Sequence, residues 1–334
     1  MSLSEQDTII LTQTDVKSLL TMKETIEAVE KAFGDHSRGR TQMLQRTYLH
    51  IEKHHGRIGF MPAYIDNLNG AGIKIVSAFH DNPQIHNLPS IMATIVLNDT
   101  ETGRPLAIMD GTYVTMVRTG AAGAIAAKYL SRDDSKVAGI IGAGVQGRAQ
   151  LMGLVEVRGI EKVMVYNRTP SKAKEYARDM SESLGVDIFP VDNVENAVKN
   201  VDVLATCTPV SAPIVEDVWV EPGLHINSVG PSTPGKQEIS NATYLRSKLV
   251  VDDYSQTSKI GGISIPTSEG KLKREDVFAE LGEIVIGSKA GRLTDDEITV
   301  FVSSGLSIQD VATARLIYDK AKKENVGKRV NLIG

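Results

Sequence analysis

The chain has 334 residues, room for about two domains of ordinary size. Its 41% hydrophobic and 23% charged residues give the balance of a soluble globular protein. Its 37 basic and 41 acidic side chains leave a formal charge of −4, with no basic block to attract a nucleic acid. The single cysteine, Cys207, can form neither an internal disulfide nor a cysteine zinc site, and no apolar run approaches the roughly 18 residues of a membrane span. Met1 to Asp7 is polar, without the apolar core of a signal peptide, so the expectation is a cytoplasmic chain.

Thr21 and Glu24 have the spacing of a capping box. Ile26, Val29 and Phe33 follow at helical intervals, and Gly34 offers a stop. The period then changes. Gln45 to Ile51, Arg57 to Met61, Gly72 to Phe79 and Ile91 to Asn98 read as strands. The turn from Asp99 to Pro105 leads to a further strand, Leu106 to Met109. The first ~115 residues therefore predict an α+β domain with an antiparallel sheet. Thr119 to Leu130, full of Gly and Ala, reads as a buried connector helix.

From Ser135 onward, short apolar runs alternate with helical segments or loops. The runs are Val137 to Ile141, Lys162 to Tyr166, Val201 to Thr206, His225 to Val229 and Lys248 to Asp252. This is the pattern of a doubly wound α/β domain with a parallel sheet. After Ile298 to Ser303, Ser304-Gly305 turns the chain into a last helix whose apolar face includes Ile308, Val311, Ala312 and Leu316.

Gly142, Gly144 and Gly147 form G-x-G-x-x-G between the strand Val137 to Ile141 and a helix from Arg148 to Val157. In that context the first glycine makes the turn, the second admits a pyrophosphate and the third packs helix against strand. Val145 and Gln146, in the turn before that helix, are candidate cofactor contacts, and the helix N-terminus behind them offers free N–H groups that favour phosphate. At the end of the second strand, where an NAD site carries a carboxylate, this chain has Asn167-Arg168-Thr169. Arg168 can pair with a 2′-phosphate while Asn167 and Thr169 hydrogen-bond to it, so NADP(H) is expected over NAD(H). Pro170 fits a first helical turn behind a Thr169 cap. Thr206, Thr208, Val229, Ser303, Arg118 and Thr119 are further candidate cofactor contacts. Cys207 reads as buried filler, since no base stands near it in sequence. The histidines, His54, His55, His80 and His86 among them, show no metal-ligand spacing, and no metal is expected.

Three cations remain. Arg46 reads as part of a strand, Lys74 interrupts an apolar strand, and Arg118 stands at the entrance to the connector helix. A lysine in an apolar strand either snorkels or is paired, and the three together suit a carboxylate.

These residues lie within a set of motifs that resembles the ornithine cyclodeaminase/mu-crystallin family. The set is Gly59 to Tyr64, Lys74 to Val76, Met116 to Ala122, Gly142 to Gly147, Val229 to Glu238 and Asp295 to Phe301, in family order. The resemblance implies a homodimer. It implies a substrate-binding and dimerisation domain over 1–118 and 313–334, and a Rossmann domain over 119–312. It also implies that Arg46, Lys74 and Arg118 hold the substrate carboxylate. Cyclodeaminases carry a glutamate where this chain has Gly59 and an aspartate where it has Ser232. Both carboxylates that would serve a diamino acid are thus missing, and Asn167-Arg168-Thr169 resembles the mu-crystallin branch.

The expectation is an NADPH-dependent reductase of small cyclic imino acids, such as Δ1-pyrroline-2-carboxylate or Δ1-piperideine-2-carboxylate, giving proline or pipecolate. Lys74 and Ser232 are the candidate catalytic residues. The alternatives are alanine dehydrogenase-type reductive amination of an α-keto acid, ornithine cyclodeaminase, and a cofactor-dependent small-molecule binding protein with little catalysis.

Overall fold

The computed structural model describes residues 7–333; the polar segment 1–6 and residue 334 lie outside them. The chain forms two compact units. One holds the described residues up to Arg118 together with those from Leu306 onward, and the other is Thr119–Gly305.

The first unit is built on an eight-stranded sheet. Its strands are β1 (Thr8–Leu11), β2 (Thr41–Met43), β3 (Thr47–Ile51), β4 (Gly56–Ile65), β5 (Gly70–Phe79), β6 (Ile91–Asp99), β7 (Pro105–Asp110) and a final strand, Lys328–Val330. From that final strand the order runs β1, β7, β6, β5, β4, β2, with β3 also on β4. Pairing is antiparallel except between β1 and β7, which are parallel. The sheet is therefore mixed rather than purely antiparallel. Both strands beyond β7 are too short to register as apolar runs.

The helices Met22–Ser37 and Ser307–Glu324 pack together, and the second lies across β4 and β5. Thr21 Oγ1 accepts the Glu24 amide as the cap predicts. The first helix continues past Gly34, which is buried inside it, because no left-handed turn occurs there. Gly70 and Gly72 share a sheet face with Lys74, two residues apart. A Cβ on either would be in ordinary contact with Val311 at 3.4–3.6 Å, so the helix packs directly on this face, and at Gly72 a Cβ would also meet the Val96 carbonyl oxygen at 2.6 Å.

The second unit has β8 (Val137–Ile141), β9 (Lys162–Tyr166), β10 (Asp187–Pro190), β11 (Val203–Thr206), β12 (His225–Ser228), β13 (Lys248–Val251), β14 (Ala279–Glu280) and β15 (Thr299–Val302). The order is β10-β9-β8-β11-β12-β15-β13-β14, and every pair is parallel. The reversal beside β8 is the switch point of a doubly wound sheet, where such folds bind ligands. Buried Ile, Val, Leu and Ala side chains fill both faces.

Among the boundaries that differ from the sequence reading, two bear on the division into units. The connector helix runs Thr112–Leu130, so Arg118 lies within it rather than at its entrance. The chain re-enters the first unit at Leu306 and not at 313, since the whole helix Ser307–Glu324 packs on that unit's sheet and a break at 313 would cut it. Among the described residues no helix is long and apolar enough to cross a membrane.

Candidate active site

In the first unit, Lys74 does not snorkel. It is 1% exposed, and its Nζ lies 2.8 and 2.7 Å from the two carboxylate oxygens of Asp310, which is itself fully buried. Arg118 is also buried, with Nε 2.9 Å from Asp310 Oδ1 and Nη1 donating to Gln309 Oε1. Burial pushes the Lys74 ammonium down to about 7. The Arg118 charge pushes the same way, Asp310 opposes it, and Arg46 adds a further downward push. Among the described residues the cluster brings the Lys74, Arg118 and Arg46 side chains together around the buried carboxylate of Asp310. Arg46 is not on a strand but in the short loop between β2 and β3, with Nη1 donating to the Tyr48 hydroxyl at 3.2 Å. Gln309 and Asp310 were missed in the sequence. Their signal was a polar pair between Ile308 and Val311, in the buried N-terminal half of the last helix.

In the second unit, the glycine turn takes the expected form. Gly142 has φ +106°, and a Cβ there would meet the Cys207 carbonyl at 2.8 Å. A Cβ on Gly147 would come within 2.1 Å of the Gly142 carbonyl oxygen, so helix and strand touch there. Above Gly144 nothing lies within 4 Å, leaving the space a pyrophosphate needs. The helix begins at Val145, three residues before the expected Arg148, so its free N–H groups face that space. Val145 is exposed, and Gln146 Oε1 is buried without a hydrogen-bond partner among the described residues.

A cavity of about 690 Å³ opens beside the turn, lined by Gly142, Asn167, Arg168, Thr169, Lys172 and Thr208 among others. Asn167 Oδ1 accepts the Ala143 amide at 3.2 Å, tying the second strand's end to the glycine turn. Thr169 is the N-cap ahead of Pro170, but its side chain makes no capping bond and stays free to face the cavity. Lys172, on the first turn of the same helix, is a second cation at this wall that sequence reading passed over.

The remaining candidates divide. Thr208 reaches the cavity. Thr206 is fully buried and donates to Glu238 at 2.7 Å. Val229 is buried, its amide bonded to the Thr206 carbonyl, and Ser303 gives its hydroxyl to Asp252 at 3.1 Å. Thr119 is buried, and its carbonyl accepts from Gln150. Ser232 lies in the irregular segment after β12, half-buried. Glu238 is an unforeseen organiser. Its carboxylate accepts from Thr206, from the amide and hydroxyl of Thr208 and from the Gly230 amide, joining the loops after β11 and β12. Burial pushes its carboxyl up to about 7 despite these bonds. Cys207 is half-buried against apolar neighbours, and burial raises its thiol well above the ordinary range.

The model of the ornithine cyclodeaminase/mu-crystallin family matches residues 6–325. The chain belongs to this family. It is similar to the Δ1-pyrroline-2-carboxylate reductase of Thermococcus litoralis, solved in complex with NADH and L-proline. That match has 44% identity and TM-score 0.93, covering 97% of this chain and 100% of the other. An archaeal alanine dehydrogenase dimer with bound NAD is 43% identical with TM-score 0.93, over 98% and 100% of the two chains. The Δ1-pyrroline-2-carboxylate reductase of Bacillus cereus is 35% identical over 96% of this chain and 99% of its own length.

Proposed function

We propose that this chain is an NADPH-dependent reductase of small cyclic imino acids, converting Δ1-pyrroline-2-carboxylate or Δ1-piperideine-2-carboxylate to proline or pipecolate. The observation that carries the reading is the buried cluster of Lys74 and Arg118, with Arg46 beside it, in a chain that also holds a dinucleotide turn. The full-length similarity to two Δ1-pyrroline-2-carboxylate reductases supports the substrate class.

The substrate-binding role falls to the first unit, where Arg46, Lys74 and Arg118 hold the carboxylate and a guanidinium offers two parallel donors. Fixing the imino acid by its carboxylate orients the C=N carbon for attack and removes rotational freedom that would otherwise raise the barrier. Lys74, poised near neutrality, sets the local field and is the candidate for holding a proton near the substrate. Ser232 is the candidate for relaying a proton to the ring nitrogen. When bound, reduced nicotinamide supplies the hydride.

The cofactor role falls to the second unit. Gly142, Gly144, Val145, Gln146 and Gly147 would hold the pyrophosphate, and Thr208 lies on the same cavity. Asn167, Arg168 and Thr169 would hold the 2′-phosphate. The solved relatives carry NADH and NAD. The preference for NADP(H) rests on this chain's own wall, which presents Arg168 and Lys172. We also propose a cytoplasmic homodimer, which light scattering of the purified chain tests; the alanine dehydrogenase relative is a dimer.

Cyclodeamination of ornithine is disfavoured by Gly59 as well as by Ser232. A Cβ at Gly59 would stand 3.0 Å from the Tyr48 ring and 3.3 Å from Val76, so a glutamate there would require these side chains to give way. Alanine dehydrogenase-type amination is the second reading, favoured by the 43% identical relative. The test compares three assays on one preparation. NADPH oxidation should be fast with the cyclic imino acids, slower with pyruvate and ammonia, and ornithine should release no ammonia. Faster turnover of pyruvate and ammonia would select the second reading. No turnover in any arm would leave a binding protein.

A further inference from the structure

We propose that the consecutive pair Gln309–Asp310 completes the carboxylate site. Asp310 positions Lys74 and Arg118, and Gln309 fixes Arg118 while offering its own amide donors to the ligand. The inference rests on the proposed carboxylate clamp and deepens it.

The geometry gives each residue a separate task. Asp310 Oδ1 lies between Lys74 Nζ at 2.8 Å and Arg118 Nε at 2.9 Å, so one carboxylate oxygen sets the separation of the two cations. Without it, two buried like charges would drive each other apart or lose a proton. The charged groups that act on Lys74 among the described residues pull in opposite directions. Arg118 and Arg46 push its proton off, and Asp310 retains it. Gln309 is fully buried. Its Oε1 accepts from Arg118 Nη1 and, at 3.4 Å, from the Leu306 amide. Its Nε2 is buried with no hydrogen-bond partner among the described residues. A buried amide donor is costly to leave unpaired, and an acceptor that arrives with the ligand removes the deficit.

The experiment titrates pyrrole-2-carboxylate, a planar carboxylate probe that is not reduced, into the full-length chain by calorimetry from pH 5 to 9. The chain is saturated with whichever of NADP+ or NAD+ it binds. In the wild type, affinity should fall about tenfold per pH unit above an onset, because binding there requires Lys74 to take up a proton. Asp310→Asn should move that onset down by about one pH unit or more, since the group that retains the proton is gone. Gln309→Met should weaken binding about tenfold at every pH and leave the onset in place. An unchanged onset in Asp310→Asn overturns the role of Asp310, and wild-type affinity in Gln309→Met overturns that of Gln309. Should Asp310→Asn fail to fold, the double variant Lys74→Met with Asp310→Asn removes both charges together. It should bind with a flat profile, and a persisting wild-type onset overturns the inference. The probe is not turned over, so the two readings fail separately. These profiles without imino-acid reduction would sink only the proposed function. Imino-acid reduction with unshifted profiles would sink only this inference.

Discussion

The two candidate anion sites are made of opposite materials. In the first unit Lys74, Arg118 and Asp310 are formal charges with almost no exposure, held by one another. In the second unit the anion site is backbone and empty space, bounded by Gly142, Gly144 and Gly147, with Arg168 exposed at the far wall. Buried charges interact strongly because little water screens them, and exposed charges interact weakly. Removing a charge should therefore cost much in the first site and little in the second. In the second, adding atoms should do the damage.

The strongest test of that contrast is Lys74→Met, which keeps the stem's shape and removes the charge. It should lower kcat/KM for the imino acid by about 10²-fold or more, the scale expected when a desolvated site is deprived of a charged hydrogen-bond donor. Cofactor affinity, read by NADPH fluorescence, should not move. Asp310 keeps Arg118 as a partner, so the variant should still unfold cooperatively in a thermal melt. Wild-type kinetics from the folded variant would remove Lys74 from the site.

Gly147→Ala probes the other material. The new methyl would overlap the Gly142 carbonyl, and neither is the end of a flexible side chain, so the turn itself must shift. A cost of about 1–3 kcal/mol is usual for such overpacking. It should appear as a lowered Tm and weaker binding of NADPH and NADH alike. Unchanged affinity for both would move the dinucleotide away from this turn.

Arg168→Ala refines the comparison further. Arg168 is exposed and would meet only the 2′-phosphate, so NADPH should lose about tenfold in KM while NADH stays unchanged. Lys172 remains on the same wall and limits the loss. Equal losses for both cofactors, or a wild type that prefers NADH, would sink the NADP(H) assignment.

The same contrast decides what could be read from the sequence. The dinucleotide turn was legible because its parts are contiguous: a strand, three glycines and a helix start within Val137 to Val157. The unit's parallel sheet followed from the alternation of apolar runs, although the short β10 and β14 escaped and Thr299–Val302 was not counted among the strands. The clamp was half legible. Lys74 stood out as a charge in an apolar strand, but its partner Asp310 is 236 positions away. No local pattern connects residues so distant, and only the helix crossing β5 brings them together. Glu238 was visible as part of a motif, yet its role depends on loops that converge only in the folded sheet.

Glu238 also carries the smallest expected effect, one on stability rather than turnover. Its carboxyl sits near 7 in the folded chain, above the ordinary value of 4.5. Between those two pH values the folded state keeps a proton that the unfolded state has released. Stability attributable to this group therefore falls as pH rises through the window, by about 1.4 kcal/mol per unit of pKa difference at most. Glu238→Gln holds no titrating proton. Its amide will fit less well among the Thr208 and Gly230 donors, but that cost is the same at every pH. The variant should therefore be less stable than the wild type at pH 5 and should close the gap toward pH 7.5. The difference in Tm would shrink by a few degrees, as expected for a domain of this size. The measurement is a pair of thermal melts at each pH. A gap that stays constant would mean that Glu238 is ionised throughout, with its four donors outweighing burial.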